Sequence, residues 1–186
     1  MSTDLITVYS EATPNPESMK FVINKMILPN DSVDFRVKEK ATDSPLASAL
    51  FEIPYVNGVF IMNNFVSITR VPATEWADAI PVLKDFIKAY IESEKPIINP
   101  KKVVSQEDLD SLEGKIIRLL DEYVKPAVEM DGGAIDFKSF KDGVVTVQMK
   151  GSCSGCPSST MTLKSGIENL LKRMVPEVES VEAEAV

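Results

Sequence analysis

Gly151-Ser152-Cys153-Ser154-Gly155-Cys156-Pro157-Ser158-Ser159 is the stretch around which the chain is organised. An alternating apolar run ends at Met149, just before it. Leu163, Ile167, Leu170, Leu171 and Met174 follow at helical spacing. Pro157 suits the first position of that helix, where a missing N–H leaves no bond unmade. The stretch is thus a loop from strand to helix. Cys153 and Cys156 are the only two cysteines, and the chain has no histidine. Soft-metal or thiol chemistry must pass through this one C-x-x-C pair. Two thiolates cannot close a four-coordinate metal site, so the other ligands must come from elsewhere.

The segment before the loop reads as a hairpin. A three-residue turn, Lys141-Asp142-Gly143, pairs Phe140 with Val144. It sets Phe137 opposite Val147 and Ile135 opposite Met149 on one face, with Asp136 opposite Gln148 on the other. A two-residue Asp142-Gly143 turn would set Phe137 opposite Gln148 and mix the faces, so the burial pattern selects the longer turn. Gly143 is expected in the left-handed region. Further upstream, Leu109, Leu112, Ile116, Leu119, Leu120 and Tyr123 form an apolar helical stripe behind a near capping box at Ser105-Gln106-Glu107-Asp108. Pro126 kinks that helix, and Asp131-Gly132-Gly133 stops it. Pro176 ends the last helix. Val178 and Val181 suggest a final strand before a frayed, Glu-rich end.

The first half is a separate small module. Leu5–Tyr9, Met19–Asn24 and Val33–Lys38 read as strands, the latter two joined by Pro29-Asn30-Asp31-Ser32. Ser44 is a helix N-cap with Pro45 behind it. Val59–Met62 and Phe65–Ile68 form a hairpin about Asn63-Asn64. Pairing Met62 with Phe65 places Val59, Ile61, Val66 and Ile68 on one face. Thr74 caps a helix carrying Trp76, Ile80, Leu83, Ile87, Tyr90 and Ile91, which Pro81 bends or begins. Trp76 and the phenylalanines are core residues. Pro96 and Pro100 stiffen a linker. The expected fold is α+β: two small α+β domains, 1–92 and 105–186, joined by a short Pro-containing linker, 93–104. The C-terminal domain is helix–hairpin–helix (αββα), with the C-x-x-C loop at the N-terminus of its last helix.

Composition excludes several classes of function. The net charge is −8, and the 44% apolar and 26% charged content is that of a soluble globular protein. Residues 1–99 carry nine basic and thirteen acidic groups, and residues 100–186 carry eleven and fifteen. Neither half has a basic block, so nucleic acid is not an expected partner. The longest uncharged run, Ile53–Thr69, is broken by Pro54, Asn57, Gly58, Asn63 and Asn64, and is sheet rather than a membrane span. The N-terminal residues lack a basic leader. Two closely spaced cysteines point to a reducing compartment rather than a disulfide scaffold.

At a helix N-terminus the dipole and unsatisfied N–H groups favour thiolates. Gly151 and Gly155 let the backbone approach the sulfurs, and Lys150 adds positive charge nearby. Three readings fit these residues: a metal or iron–sulfur site completed by a second subunit, a thiol–disulfide redox pair, or two small buried apolar residues. The α-β-β-α order is not the βαβ setting usual for a redox C-x-x-C. A monomeric zinc finger is the least favoured reading.

Leu119 to Val181 resembles the C-terminal domain of the NifU/Nfu family of iron–sulfur cluster scaffold and carrier proteins. The resemblance is carried by Met130-Asp131-Gly132-Gly133, Gly151-Ser152-Cys153-Ser154-Gly155-Cys156-Pro157, Thr162-Leu163-Lys164 and Gly166-Ile167-Glu168. Thr13-Pro14-Asn15-Pro16, Lys20-Phe21, Ser44-Pro45-Leu46-Ala47 and the Trp76 helix are similar to the accompanying N-terminal domain. The resemblance implies a non-enzymatic homodimer with Cys153 and Cys156 of each protomer binding a bridging [4Fe–4S] cluster. A [2Fe–2S] form is the lesser option. It further implies receipt from a donor scaffold and handover to apo-proteins. The first module is then a partner-recognition unit. Against the family pattern, the chain is expected to be without the N-terminal scaffold and central ferredoxin-like domains of full-length NifU and without the transit peptide of organellar members, as in a bacterial cytoplasmic protein or a mature form. Carriage is therefore expected over assembly, and the cytoplasm is the expected location. The alternatives are a C-x-x-C thiol–disulfide oxidoreductase and a dimeric zinc-binding protein.

Overall fold

The computed structural model describes residues 5–99, 111–153 and 157–185. The chain forms two compact units that divide between Lys101 and Lys102.

The first unit contains strands β1 (Val8–Ala12), β2 (Ser18–Ile23), β3 (Leu28–Phe35), β4 (Val56–Asn63) and β5 (Phe65–Arg70). A 3-10 turn (Lys38–Asp43), helix α1 (Pro45–Leu50) and helix α2 (Trp76–Glu92) complete it. The antiparallel sheet has the order β1-β2-β5-β4-β3. The expected β4–β5 register is present: Met62 faces Phe65, Ile61 faces Val66 and Val59 faces Ile68. Asn63 takes a φ of 46° to make the turn. Val59, Ile61, Val66 and Ile68 pack with Phe21, Leu46, Leu50, Leu83 and Ile87 in one core. Ser44 caps α1 as expected, accepting from the Ala47 N–H at 3.1 Å.

Five local expectations change. The first strand begins at Val8 rather than Leu5. β3 starts at Leu28 and takes Pro29–Ser32 into its length as an irregularity, with Asn30 at φ 59°. That segment does not join neighbouring strands, because both edges of β2 are occupied by β1 and β5. Thr74 does not cap α2. Its N–H donates to the Val71 carbonyl and its own carbonyl accepts from Arg70, so it closes a turn, and Glu75 occupies the cap position. Pro81 lies inside α2 and does not start it. The helix continues through the proline because its apolar stripe, Ala79, Leu83, Ile87 and Ile91, stays buried on either side. Residues 93–99, read from sequence as linker, are fastened to the first unit. Tyr90 donates its hydroxyl to the Pro96 carbonyl at 2.9 Å, Ser44 to the Ile97 carbonyl at 2.7 Å, and the Asn99 N–H to the Asp43 carbonyl at 2.8 Å.

The second unit runs α3 (Leu112–Leu119), a π-helical turn (Leu120–Val124), α4 (Lys125–Met130), β6 (Gly133–Lys141), β7 (Val144–Gly151), α5 (Pro157–Met174) and β8 (Ser180–Ala185). The capping box at Ser105–Asp108, and Leu109, lie outside the described residues. Ser111, not anticipated, caps α3 by accepting from the Gly114 N–H at 3.1 Å. Pro126 produces the expected break as a π turn, which absorbs the hydrogen bond its missing N–H cannot make. Met174, placed on the core face by its spacing, is exposed, while Val175 next to it is buried. The helix ends there, so the chain leaves the helical period.

The hairpin register is the expected one near the loop and differs at the tip. Phe137 faces Val147, Ile135 faces Met149 and Asp136 faces Gln148. Lys141 pairs with Val144, however, so the turn is the two-residue Asp142-Gly143, with both residues at positive φ (50° and 78°). An irregularity between Phe137 and Ser139 inserts one residue and restores the faces. Gly143 is left-handed as expected, and its carbonyl accepts from the Glu179 and Ser180 N–H groups at 2.7 and 3.2 Å. Gly143→Ala should cost about 1–2 kcal/mol, the strain of an L-residue in that region, read as a shift in urea midpoint with unchanged slope.

The final strand suggested by Val178 and Val181 is present as β8, beyond the αββα order, and it takes in Glu182 and Glu184 of the end expected to fray. It lies parallel to β7, with Val144 opposite Ser180 and Met149 opposite Ala185. β7–α5–β8 is therefore a parallel crossover unit. Glu168 of α5 latches it, accepting from the Val181 N–H at 3.1 Å and from Lys172 at 2.7 Å. The Lys172 bond, then the Val181 N–H, hold the Glu168 carboxyl below its ordinary value of 4.5. A depressed carboxylate stabilises the fold above its unfolded pKa and loses that contribution as pH falls through its folded pKa. The Val181 amide should thus lose hydrogen-exchange protection below pH 4.5, and Glu168→Gln should lose part of it at neutral pH.

Candidate metal centre

The cysteine loop is positioned by the turn that ends α4. Gly132, at φ 78°, stops the helix, with its N–H donating to the Glu129 carbonyl at 3.0 Å. Gly133 then opens β6 opposite Gly151, which has a φ of 68°. Ser152 joins the two segments. Its N–H donates to the Gly132 carbonyl at 3.3 Å, and its hydroxyl donates to the Asp131 carbonyl. Ser152 is 2% exposed, so these bonds are shielded from water.

Cys153 follows, 5% exposed and packed with Ile116, Val128, Ile135, Ile167 and Leu171. A methyl group on Gly133 would stand 2.8 Å from Cys153 Sγ and 2.7 Å from the Lys150 carbonyl. The sulfur is thus seated against bare Cα, in a space that any side chain at 133 would fill. On the far side, Thr160 of α5 donates its hydroxyl to the Cys153 carbonyl at 3.2 Å. Cys156 lies outside the described residues. Among the described residues no group of three or more cysteine, histidine, aspartate or glutamate side chains could hold a metal ion.

Lys150, expected to supply charge to the thiolates, instead donates to Asp136 at 2.6 Å. Asp136 also lies 3.9 Å from Lys125, which pairs with Asp121 at 2.6 Å. Asp136 and Lys150 sit on the hairpin face opposite that of Ile135 and Met149, and Lys125 and Asp121 extend the chain of alternating charges onto α4 and the π turn. Lys164, on the partly exposed part of α5, lies near enough to Glu168 to help hold its carboxyl down.

Residues 116–182 match the family described as NifU-like domain, and residues 8–94 match Scaffold protein Nfu/NifU N terminal. Along 94% of its length the chain is 37% identical to "NFU1 iron-sulfur cluster scaffold homolog, mitochondrial" of Homo sapiens, of which it spans 70%. The chain belongs to the Nfu family. It is 39% identical to the Drosophila sechellia and Drosophila willistoni proteins of the same name, and spans 64% and 62% of their lengths. Among solved structures it is similar to a NifU-like protein from Saccharomyces cerevisiae, at 21% identity and a TM-score of 0.47 over 55% of this chain and 91% of that one.

Within the Nfu family frame, the residues missed from sequence are Ser152, Thr160 and the second role of Gly133. Gly132-Gly133 reads as a helix stop, which describes Gly132 alone. The signal for Gly133 was its place opposite Gly151 in the hairpin, since two glycines facing each other leave room for a third group. The β7–α5–β8 crossover also means that element order does not separate this site from a thiol–disulfide pair. That separation has to come from chemistry.

Proposed function

We propose that the chain carries a [4Fe–4S] cluster bridged between two protomers by Cys153 and Cys156 of each, and hands it to apo-proteins. The observation that carries this reading is the ligand shortfall around a prepared sulfur seat. Cys153 is held against Gly133 and between two anchored segments, yet the chain offers only two cysteines and no histidine. Two chains supply Cys₄, a ligand set suited to an iron–sulfur cluster. The relatives' names, which specify an iron–sulfur cluster scaffold, support the same cargo. A site divided between two chains also explains delivery. Each protomer supplies half of the ligands, so a client with a complete cysteine set can replace them by exchange, without catalytic turnover.

The first unit, which has no cysteine, contributes no ligand in this reading and serves recognition of donor or client. We assign the protein to the cytoplasm, where thiols stay reduced. The relatives' names specify mitochondria, so fractionation of the native protein decides the compartment. No helix among the described residues is long and apolar enough to cross a membrane.

Anaerobic reconstitution with iron and sulfide, followed by elemental analysis and sizing, tests the reading. Near-equal iron and sulfide, about four of each per dimer, is the expected result for one [4Fe–4S] cluster. Two of each per dimer indicates the [2Fe–2S] form. Zinc without sulfide overturns the cluster reading. The crossover topology favours one rival, a redox pair. A monomer that turns over in a thiol-exchange assay through a Cys153–Cys156 disulfide supports that rival.

A further inference from the structure

The backbone on either side of Cys153 is anchored to a different element. On the N-terminal side, Ser152 is bonded through its N–H and its hydroxyl to the Asp131-Gly132 turn. On the C-terminal side, the Cys153 carbonyl accepts from the Thr160 hydroxyl at 3.2 Å. The sulfur itself rests against Gly133. Rotation of the Cys153 backbone must break one of these holds; while both stand, only rotation about the Cα–Cβ bond can move Sγ. The two holds differ in access: Ser152 is buried at 2% exposed, whereas Thr160 is half-buried, on the first turn of α5. Water can compete for the Thr160 bond more readily than for the Ser152 bonds, so Thr160 is the hold that opens first.

We propose that Thr160 is a positioning residue for Cys153, whose hydroxyl fixes the Cys153 carbonyl from α5 and so sets how firmly the chain grips a cluster through that cysteine. The inference rests on the cluster-carrying reading for its consequence, but the hold on Cys153 exists without a cluster. A protein that must both keep and release its cargo needs a grip of intermediate strength. A single part-buried hydroxyl-to-carbonyl bond is of that order.

The full chain is compared as Thr160→Val, which keeps shape and removes the donor, and as Thr160→Ser, which keeps the donor. In apo protein carrying Cys156→Ala, alkylation of Cys153 by iodoacetamide is followed by mass spectrometry. In reconstituted protein, cluster loss to an iron chelator is followed by visible absorbance under anaerobic conditions. Thr160→Val should raise both rates roughly fivefold, the shift that losing one such bond produces. Thr160→Ser should return both to the wild-type value. A general weakening of the fold would not be rescued selectively by serine, and would lower the urea midpoint in step with the rates. Equal rates in wild type and Thr160→Val, or failure of serine to rescue, overturns the proposal. Wild-type protein that takes up no cluster overturns the cluster reading instead, and the apo alkylation rates still decide the role of Thr160.

Discussion

Cys153→Ala should leave the second unit folded and remove the cluster entirely, together with the cluster-bridged dimer. Cys153 is one of two thiols in the chain, with no histidine to stand in, so losing it from each protomer takes two of the four ligands proposed for the bridged cluster. Its side chain is a small member of the core cluster around Ile135, Ile167 and Leu171. Trimming one sulfur from such a core costs on the order of 1 kcal/mol, well below the 5–15 kcal/mol typical of a folded domain. Circular dichroism and urea unfolding should therefore report a folded protein, while iron and sulfide analysis after reconstitution reports none bound. Cys156→Ala should behave the same way on the metal side. Retention of a stoichiometric cluster by either variant overturns the ligand assignment.

Gly133→Ala should lower cluster uptake while leaving both thiols in place, with a larger stability cost than Cys153→Ala. The added methyl would sit 2.8 Å from Cys153 Sγ and 2.7 Å from the Lys150 carbonyl. The first neighbour ends a short side chain with one rotatable bond, packed in the core, and the second is backbone. The carbonyl belongs to β7, and the backbone that carries Cys153 is fixed on either side by the Ser152 and Thr160 bonds. Something must shift, and overpacking of this kind costs about 1–3 kcal/mol. The shift most open to the chain is displacement of Cys153, so cluster uptake should fall along with stability. Gly166→Ala is the control. It lies in α5 with nothing within 4 Å of the added methyl, and alanine in a helix interior gains about 0.8–1 kcal/mol over glycine. That variant should melt higher and reconstitute normally. Normal cluster uptake by Gly133→Ala would show that the seat against the glycine is not needed for binding.

Periodicity settled much of the architecture because it depends on neighbours in the chain. The β4–β5 hairpin was legible because only one pairing of Met62 with Phe65 puts Val59, Ile61, Val66 and Ile68 on one face. The same logic placed Phe137 opposite Val147 but missed the tip. The burial pattern constrains which residues face each other, not how a spare residue is accommodated. A tight Asp142-Gly143 turn with a bulge before Ser139 satisfies the pattern as well as a longer turn does. β8 was legible only from Val181 and from Val178, which lies just before it. Its parallel pairing with β7 depends on a crossover through α5 and on the Glu168 latch, thirteen residues upstream of Val181.

The sequence by itself determined the ligand inventory at the cysteine loop. Ligand type and number are properties of composition, and two cysteines with no histidine leave half of any tetrahedral site to be found elsewhere. Tertiary structure alone decided how Cys153 is held. The Gly133 seat, the Ser152 bonds to the Asp131-Gly132 turn and the Thr160 bond bring together residues seven to twenty-one positions apart. Such contacts follow from how β6, β7 and α5 pack, and only the place of Gly133 opposite Gly151 left a trace in the hairpin pattern.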